Sequence, residues 1–148
     1  MKLASLNHAR DGQLIVVDSS LQHYVLATHI TPTMQSALDN WQIVEPQLND
    51  LAKQLEAGTA KSLPFEPGKC ASPLPRSYHW ADGSAYVNHV ELVRKARSAE
   101  MPETYWTDPL MYQGGSDTFL GPMEDIAMVD EAWGIDFEAE VAVVVDDV

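Results

Sequence analysis

Residues 135–145 read Ile135-Asp136-Phe137-Glu138-Ala139-Glu140-Val141-Ala142-Val143-Val144-Val145. Ile135, Phe137, Ala139, Val141, Val143 and Val145 alternate with the rest, which predicts a β-strand with one apolar face. Asp136, Glu138 and Glu140 fall on the other face. Side chains two apart on a strand stand roughly 6.5–7 Å apart and point the same way, so Glu138 and Glu140 are spaced to meet one hard cation from adjacent pleats. The plain alternative is a solvated acidic face. Against it, glutamate is a poor strand former, and like charges on one face repel unless a cation or water separates them. That face also runs on into Ala142 and Val144. All-oxygen donors of this kind suit Mg²⁺ or Ca²⁺, with Mn²⁺ also open, rather than zinc. A strand this apolar needs partners, and the chain stops almost at once, at Val148; the expectation is that these residues are the front part of a larger protein.

Working outward, 148 residues fit one ordinary domain, or a small domain and part of another. The apolar share of 45% argues against disorder. A net charge of −13 argues against a phosphate-binding surface, so neither nucleic acid nor an anionic membrane is an expected partner. The acidity itself needs no more than solubility to explain it. Cys70 is the only cysteine, so no internal disulfide forms, which fits a reducing compartment. It lies in a loop-like stretch with no activating histidine nearby in sequence and reads as a bystander. The N-terminus lacks the apolar core of a signal peptide, and no run approaches the ~20 apolar residues of a membrane span. A cytoplasmic location is expected.

The first thirty residues predict three short strands, Lys2–Asn7, Gln13–Asp18 and His23–Thr28, with Asp11-Gly12 as the first turn. Leu14-Ile15-Val16-Val17 is nearly continuous apolar sequence, as in a strand covered on both faces. A helical pair follows. Thr31 and Pro32 suit a helix start, Met34, Ala37, Leu38, Trp41 and Val44 recur at helical spacing, and Pro46 is expected to end or kink that helix. A second helix is expected over Gln47 to Ala57, with Leu48, Leu51 and Leu55 as its stripe and Gly58 as its stop. Residues 59–76 are punctuated by Pro64, Pro67, Gly68, Pro73 and Pro75 and read as loop. The domain boundary is placed there, giving a small domain over 1–73 and a second domain from 74 to 148.

The second region opens with Trp80-Ala81-Asp82-Gly83-Ser84-Ala85-Tyr86-Val87-Asn88-His89 and a helix through about Arg97. Tyr86, His89, Val90 and Val93 share one face of it. His89 is either a half-buried structural histidine or a general base, since its ordinary titration lies near neutrality. Asp82 beside Gly83 reads as a helix N-cap or as a functional carboxylate. Arg94, Lys95 and Arg97 form the one basic cluster, fit to neutralise local acids or to hold an anionic substrate. Leu110-Met111-Tyr112 begins a strand broken at Gly114-Gly115, whose glycines make a turn or let backbone approach a ligand. No GxGxxG, Walker, GxSxG or CxxC pattern is present.

At these residues the chain resembles the fumarylacetoacetate hydrolase family. Leu74 to Arg97 is similar to the opening of its catalytic domain, Ile135 to Glu140 to its metal-binding Glu-x-Glu strand, and residues 1–73 to the small N-terminal domain of one bacterial branch. The resemblance implies an α+β chain: a small β domain with a helical pair, then the start of a mostly-β catalytic domain, truncated. It implies Asp82, Glu138 and Glu140 as metal ligands, His89 as general base, and Tyr112 and Arg97 as substrate contacts, Arg97 with a register about one residue off. Where many short family members carry an acid three residues after the histidine, this chain has Leu92, with Glu91 beside it. The implied chemistry is hydrolytic cleavage of a C–C bond in a β-diketone acid such as fumarylacetoacetate or an acylpyruvate, with Mg²⁺ or Ca²⁺ as Lewis acid, in a homodimer. The family also carries a further aspartate ligand and a lysine downstream, so these 148 residues alone are expected to be inactive. Two alternatives stand beside this: a family relative that decarboxylates, isomerises or dehydrates dicarbonyl acids, and a non-catalytic accessory or interaction domain.

Overall fold

In the computed structural model, which describes residues 1–84, 86–108, 110–135 and 137–145, the chain begins with three antiparallel strands, β1 (Lys2–Leu6), β2 (Gln13–Val17) and β3 (His23–Leu26). Each of the three expected strands forms, one or two residues shorter than its pattern suggested. Leu3 lies opposite Val16 and Val16 opposite Val25. Gly12 makes the first turn at φ +69°, and a Cβ there would come within 2.8 Å of Ser5 Cβ, so glycine is required both by the backbone and by the space. Leu14, Ile15 and Val16 are fully buried and Val17 nearly so, as the continuous apolar run implied.

The stretch read as loop holds a fourth strand. β4 (Leu63–Pro64) pairs with β3 and closes the sheet order β1-β2-β3-β4. Proline is tolerated there because the strand is at an edge. A 3-10 turn at Pro67–Lys69 then brings Cys70 against the other edge: Leu6 bridges Cys70, Asn7 N–H donates to the Lys69 carbonyl at 2.9 Å and Ala71 N–H to that of Ser5 at 2.9 Å. The β1 edge is thereby covered, and β4 with its proline forms the other edge.

Two helices cover one face of the sheet, with boundaries that differ from the expected ones. α1 (Met34–Asp39) is capped by Thr33, whose side chain accepts from Ser36 N–H, not by Thr31; Thr31 is buried and donates to Ser36 Oγ at 2.9 Å. α2 (Trp41–Glu56) runs straight through Pro46, and the break falls at Asn40. Pro46 lies little more than one turn into α2, where its missing N–H deprives only the Gln42 carbonyl of a helical partner. The buried stripe Val44, Leu48, Leu51 and Leu55 continues across it, and burying such side chains stabilises by about 1.5–3 kcal/mol each, enough to outweigh one lost bond. The core is formed by Leu14, Val16, Val25 and Ala27 of the sheet side with Met34, Ala37, Val44, Leu48, Leu51 and Leu55 of the helices. Glu56, at the end of α2, accepts from Ser19 N–H at 2.6 Å and Ser19 Oγ at 3.0 Å, tying that helix to the β2–β3 turn.

The second region is built differently. β5 (Ala81–Gly83) and β6 (Met111–Gln113) form a separate two-stranded sheet, joined by α3 (Val87–Ala96) and a 3-10 turn at Glu103–Trp106. Here Asp82 departs from the expectation of a helix cap: it lies within β5, and α3 begins at Val87 with Tyr86 at its cap and no side-chain cap bond. The larger correction concerns residues 135–145. No strand forms among the described residues of this stretch, and Ile135, Phe137, Val141, Val143 and Val145 are exposed. An alternating pattern makes a strand only when another strand supplies hydrogen-bond partners, and none lies beside this one among the described residues. Asp136 lies outside the described residues.

Candidate functional site

The residues singled out for chemistry sit on three separate pieces of the second region. Asp82 and Tyr112 are brought together by the sheet: they are direct partners in the β5–β6 ladder, and residues opposite each other in an antiparallel pair project to the same side. Ser84 N–H, just past β5, donates to the Leu110 carbonyl at 2.9 Å and extends that pairing toward α3. His89 stands in the first turn of α3. Its Nε2 lies 3.5 Å from Glu138 Oε1, with both side chains about half exposed, at 49% and 47%. That distance is long for a hydrogen bond and short enough for an ion pair once the imidazole is protonated.

Sequence reasoning picked both members of this pair but gave them separate roles and did not join them. The acid beside His89 is not Glu91 or a residue at Leu92; it comes from 49 positions downstream, 138 − 89, along a path no local pattern specifies. Arg97 is the residue that ends α3, exposed, with its N–H on the Val93 carbonyl at 3.1 Å. Arg94 and Lys95 lie in the last turn of α3, where cations favour the helix dipole, and Arg94 Nη1 donates to the Glu100 carbonyl at 2.9 Å. Their bland role is therefore satisfied.

Glu140 is exposed to solvent. The carboxylates are the right donors for a hard cation. They are not gathered into a coordination set: among the described residues no three His, Cys, Asp or Glu side chains come close enough to hold one ion. Chemistry fits such a group while geometry does not yet assemble it. Cys70 is buried, and burial pushes its thiol up, away from the reactive thiolate; the bystander reading agrees with that. A cavity of about 270 Å³ opens beside the β5–α3 connection, lined by Ser84, Val87, Tyr105 and Trp106 among others. The candidate site residues do not line it.

A small four-stranded domain with two helices on one face, followed by a strand–helix–strand unit whose helix brings His89 near Glu138 of the later chain, makes an α+β chain. The model of the fumarylacetoacetase N-terminal domain 2 matches residues 1–76, and that of the fumarylacetoacetate (FAA) hydrolase C-terminal domain matches residues 78–148. The chain therefore belongs to the fumarylacetoacetate hydrolase family. No curated protein matches it. No helix among the described residues is long and apolar enough to cross a membrane.

Proposed function

We propose that the protein carrying this chain hydrolyses a C–C bond in a β-diketone acid, of the fumarylacetoacetate or acylpyruvate type, with His89 as general base. The observation that carries the proposal is the approach of His89 Nε2 to Glu138 Oε1 at 3.5 Å in a chain of this family. His89 passes through its imidazolium form when it takes a proton from water, and Glu138 is the carboxylate that stands beside it. The hydroxide so formed adds to one carbonyl carbon. The C–C bond then breaks with its electron pair on the carbon between the carbonyls, as an enolate, and the imidazolium proton returns to that carbon. One water is consumed and two products leave, a carboxylic acid and a ketone. Tyr112 contacts the substrate, and Arg97 holds its carboxylate through a planar fork of donors.

Asp82, Glu138 and Glu140 are proposed as donors for Mg²⁺ or Ca²⁺, with Mn²⁺ acceptable; such an ion, when bound, supplies positive charge to developing oxyanions. A homodimer is part of the proposal, supported by the apolar side chains exposed over residues 135–145. So is a cytoplasmic setting, supported by the single buried cysteine. Nucleic acid and anionic membranes are not proposed as partners at a net charge of −13.

Two measurements test this. Mn²⁺ titration of the chain, read by calorimetry, is expected to show saturable binding that is lost in an E138A/E140A double variant. In the intact protein, His89→Ala is expected to lower kcat for acylpyruvate cleavage by 10²–10⁴-fold, the usual range for a lost general base. Cleavage that survives His89→Ala unchanged refutes the assignment. The solvent exposure of Glu140 favours one rival reading, a non-catalytic interaction domain with a solvated acidic surface. That reading predicts no metal response and no effect of either glutamate beyond folding. Decarboxylase, isomerase or dehydratase chemistry on the same substrates is separated by product analysis.

A further inference from the structure

Between the two matched domains the structure holds an aromatic relay that ends on Tyr112. At one end, Arg76 Nη2 donates to Asp11 Oδ2 at 2.9 Å and Arg76 Nε to Asp11 Oδ1, so the segment leaving the first domain is clamped to its β1–β2 turn. Next to Arg76, the Pro75 carbonyl accepts from Phe119 N–H at 2.8 Å, and Ser77 N–H donates to the Ser116 carbonyl at 2.7 Å. The 116–119 loop is thereby tied to the segment between the domains. Phe119 then faces Trp80 at 6.3 Å between ring centroids, and Trp80 meets Tyr112 edge-on at 5.6 Å and 82°. Gly114 completes the nest: a Cβ at that position would overlap the Trp80 ring and come within 3.2 Å of the Tyr112 ring.

Tyr112 itself is 60% exposed, so its ring has little protein around it to fix a rotamer. Edge-to-face geometry is the preferred arrangement of an aromatic pair and carries a directional preference beyond area burial. We propose that Trp80 is a positioning residue: it holds the Tyr112 ring in one orientation on the Asp82 side of the β5–β6 sheet, and Phe119 with Pro75 holds Trp80 in turn. In this arrangement the first domain contributes to the site without touching it. The substrate half of the inference rests on the reading of Tyr112 as a substrate contact; the ordering half does not.

Carbon-13 relaxation of the Tyr112 ring in the full chain, without substrate, tests the ordering directly. The order parameter of the ring is expected to fall by about 0.2 or more in Trp80→Ala, the size of step that separates rigid from flexible groups. Trp80→Phe keeps an edge and is expected to restore most of it. Gly114→Ala, which displaces Trp80 without removing it, is expected to loosen the ring as well. A Tyr112 ring equally ordered in wild type and Trp80→Ala overturns the proposal.

In the intact protein, Trp80→Ala is expected to raise KM for an acylpyruvate about two- to tenfold with kcat within about twofold, the size one aromatic pair supports. Rescue by Trp80→Phe separates positioning from mere stability. Unchanged KM with a loosened ring overturns the substrate half. Absence of any diketone cleavage in the wild type counts against the proposed function, and the relaxation result still decides the ordering.

Discussion

The first 76 residues and the remainder differ in how much of their apolar sequence is buried. In the first part, Leu14, Ile15, Val16, Ala27, Ala37 and Leu48 have no measurable exposure, and a single cluster joins sheet and helices. Among the described residues of the second, Val90 and Tyr105 are the buried apolar ones, while Trp106, Met123, Ile126, Val129, Trp133, Phe137 and Val141 are mostly exposed. A four-stranded sheet packed against two helices supports itself; a two-stranded sheet with one helix does so marginally at best. Stability and chemistry are thus divided along the chain: the first part carries the core, and every candidate site residue lies in the second. An exposed, thinly held site is ordinary for functional elements, which come from the low-stability end of a protein.

The largest expected effect comes from the middle of the first core. Leu48→Ala removes a fully buried side chain and is expected to cost about 2–5 kcal/mol, measured by urea unfolding of the chain. A cost under 1 kcal/mol would mean that the core is not where the stability lies, and the contrast between the two parts would collapse.

Acid sharpens the same contrast. Burial pushes the Asp18 carboxyl up, but the Gln22 and His23 N–H groups, the Ser20 hydroxyl and the His23 ring outweigh it and hold the carboxyl down at about 2. A carboxyl lowered on folding contributes stability that is complete above its ordinary value near 3.8 and is lost as pH falls from there through about 2. Asp18→Asn is therefore expected to be less stable than wild type at pH 7 and to converge with it near pH 2. The check is the unfolding midpoint against pH; parallel curves for the two proteins would show that the Asp18 turn does not contribute in this way.

What the sequence made legible follows the same division. The strands of the first domain are local patterns with local turns, so Leu14 to Val17 and the Leu48, Leu51, Leu55 stripe could be read directly. Pro46 misled because its local penalty is smaller than the burial that spans it. In the second region the decisive contacts are between distant residues. Asp82 joins Tyr112 through strands of three residues each, too short to leave a periodic mark, and a glycine after an aspartate looks the same before a helix as inside a strand. His89 and Glu138 were each recognisable as chemical groups, by type and by family resemblance, but their approach depends on the path of the whole intervening chain. The alternation over 135–145 is present in the residues and has no partner among the described strands, so the pattern alone overstated the structure.

A smaller effect is expected at Tyr105, the best-buried aromatic side chain of the second region at 8% exposure. Its hydroxyl is buried and has no hydrogen-bond partner among the described residues. An unpaired buried hydroxyl costs about 1–3 kcal/mol of desolvation, so Tyr105→Phe is expected to leave stability unchanged or to raise it by up to about 1 kcal/mol. A loss of more than that, by the same urea measurement, would reveal a partner for the hydroxyl and a better-built second region than the contrast allows.

The smallest effect is expected where the apolar sequence is densest. Val141 is 93% exposed, and a substitution at a site with so few contacts changes stability by no more than about 0.5 kcal/mol. Val141→Ser should therefore be nearly silent in unfolding while Leu48→Ala is not. The pair of variants differs in sequence context by very little, each replacing one apolar residue of a strongly apolar pattern, and differs almost completely in burial. If Val141→Ser were to cost more than about 1 kcal/mol, residues 135–145 would be buried in solution, and the strand predicted from their alternation would have found its partner. A concentration-dependent cost would assign that partner to a second copy of the chain, because burial shared between molecules weakens on dilution. A concentration-independent cost would assign it to the chain itself, placing Glu138 and Glu140 on a formed strand.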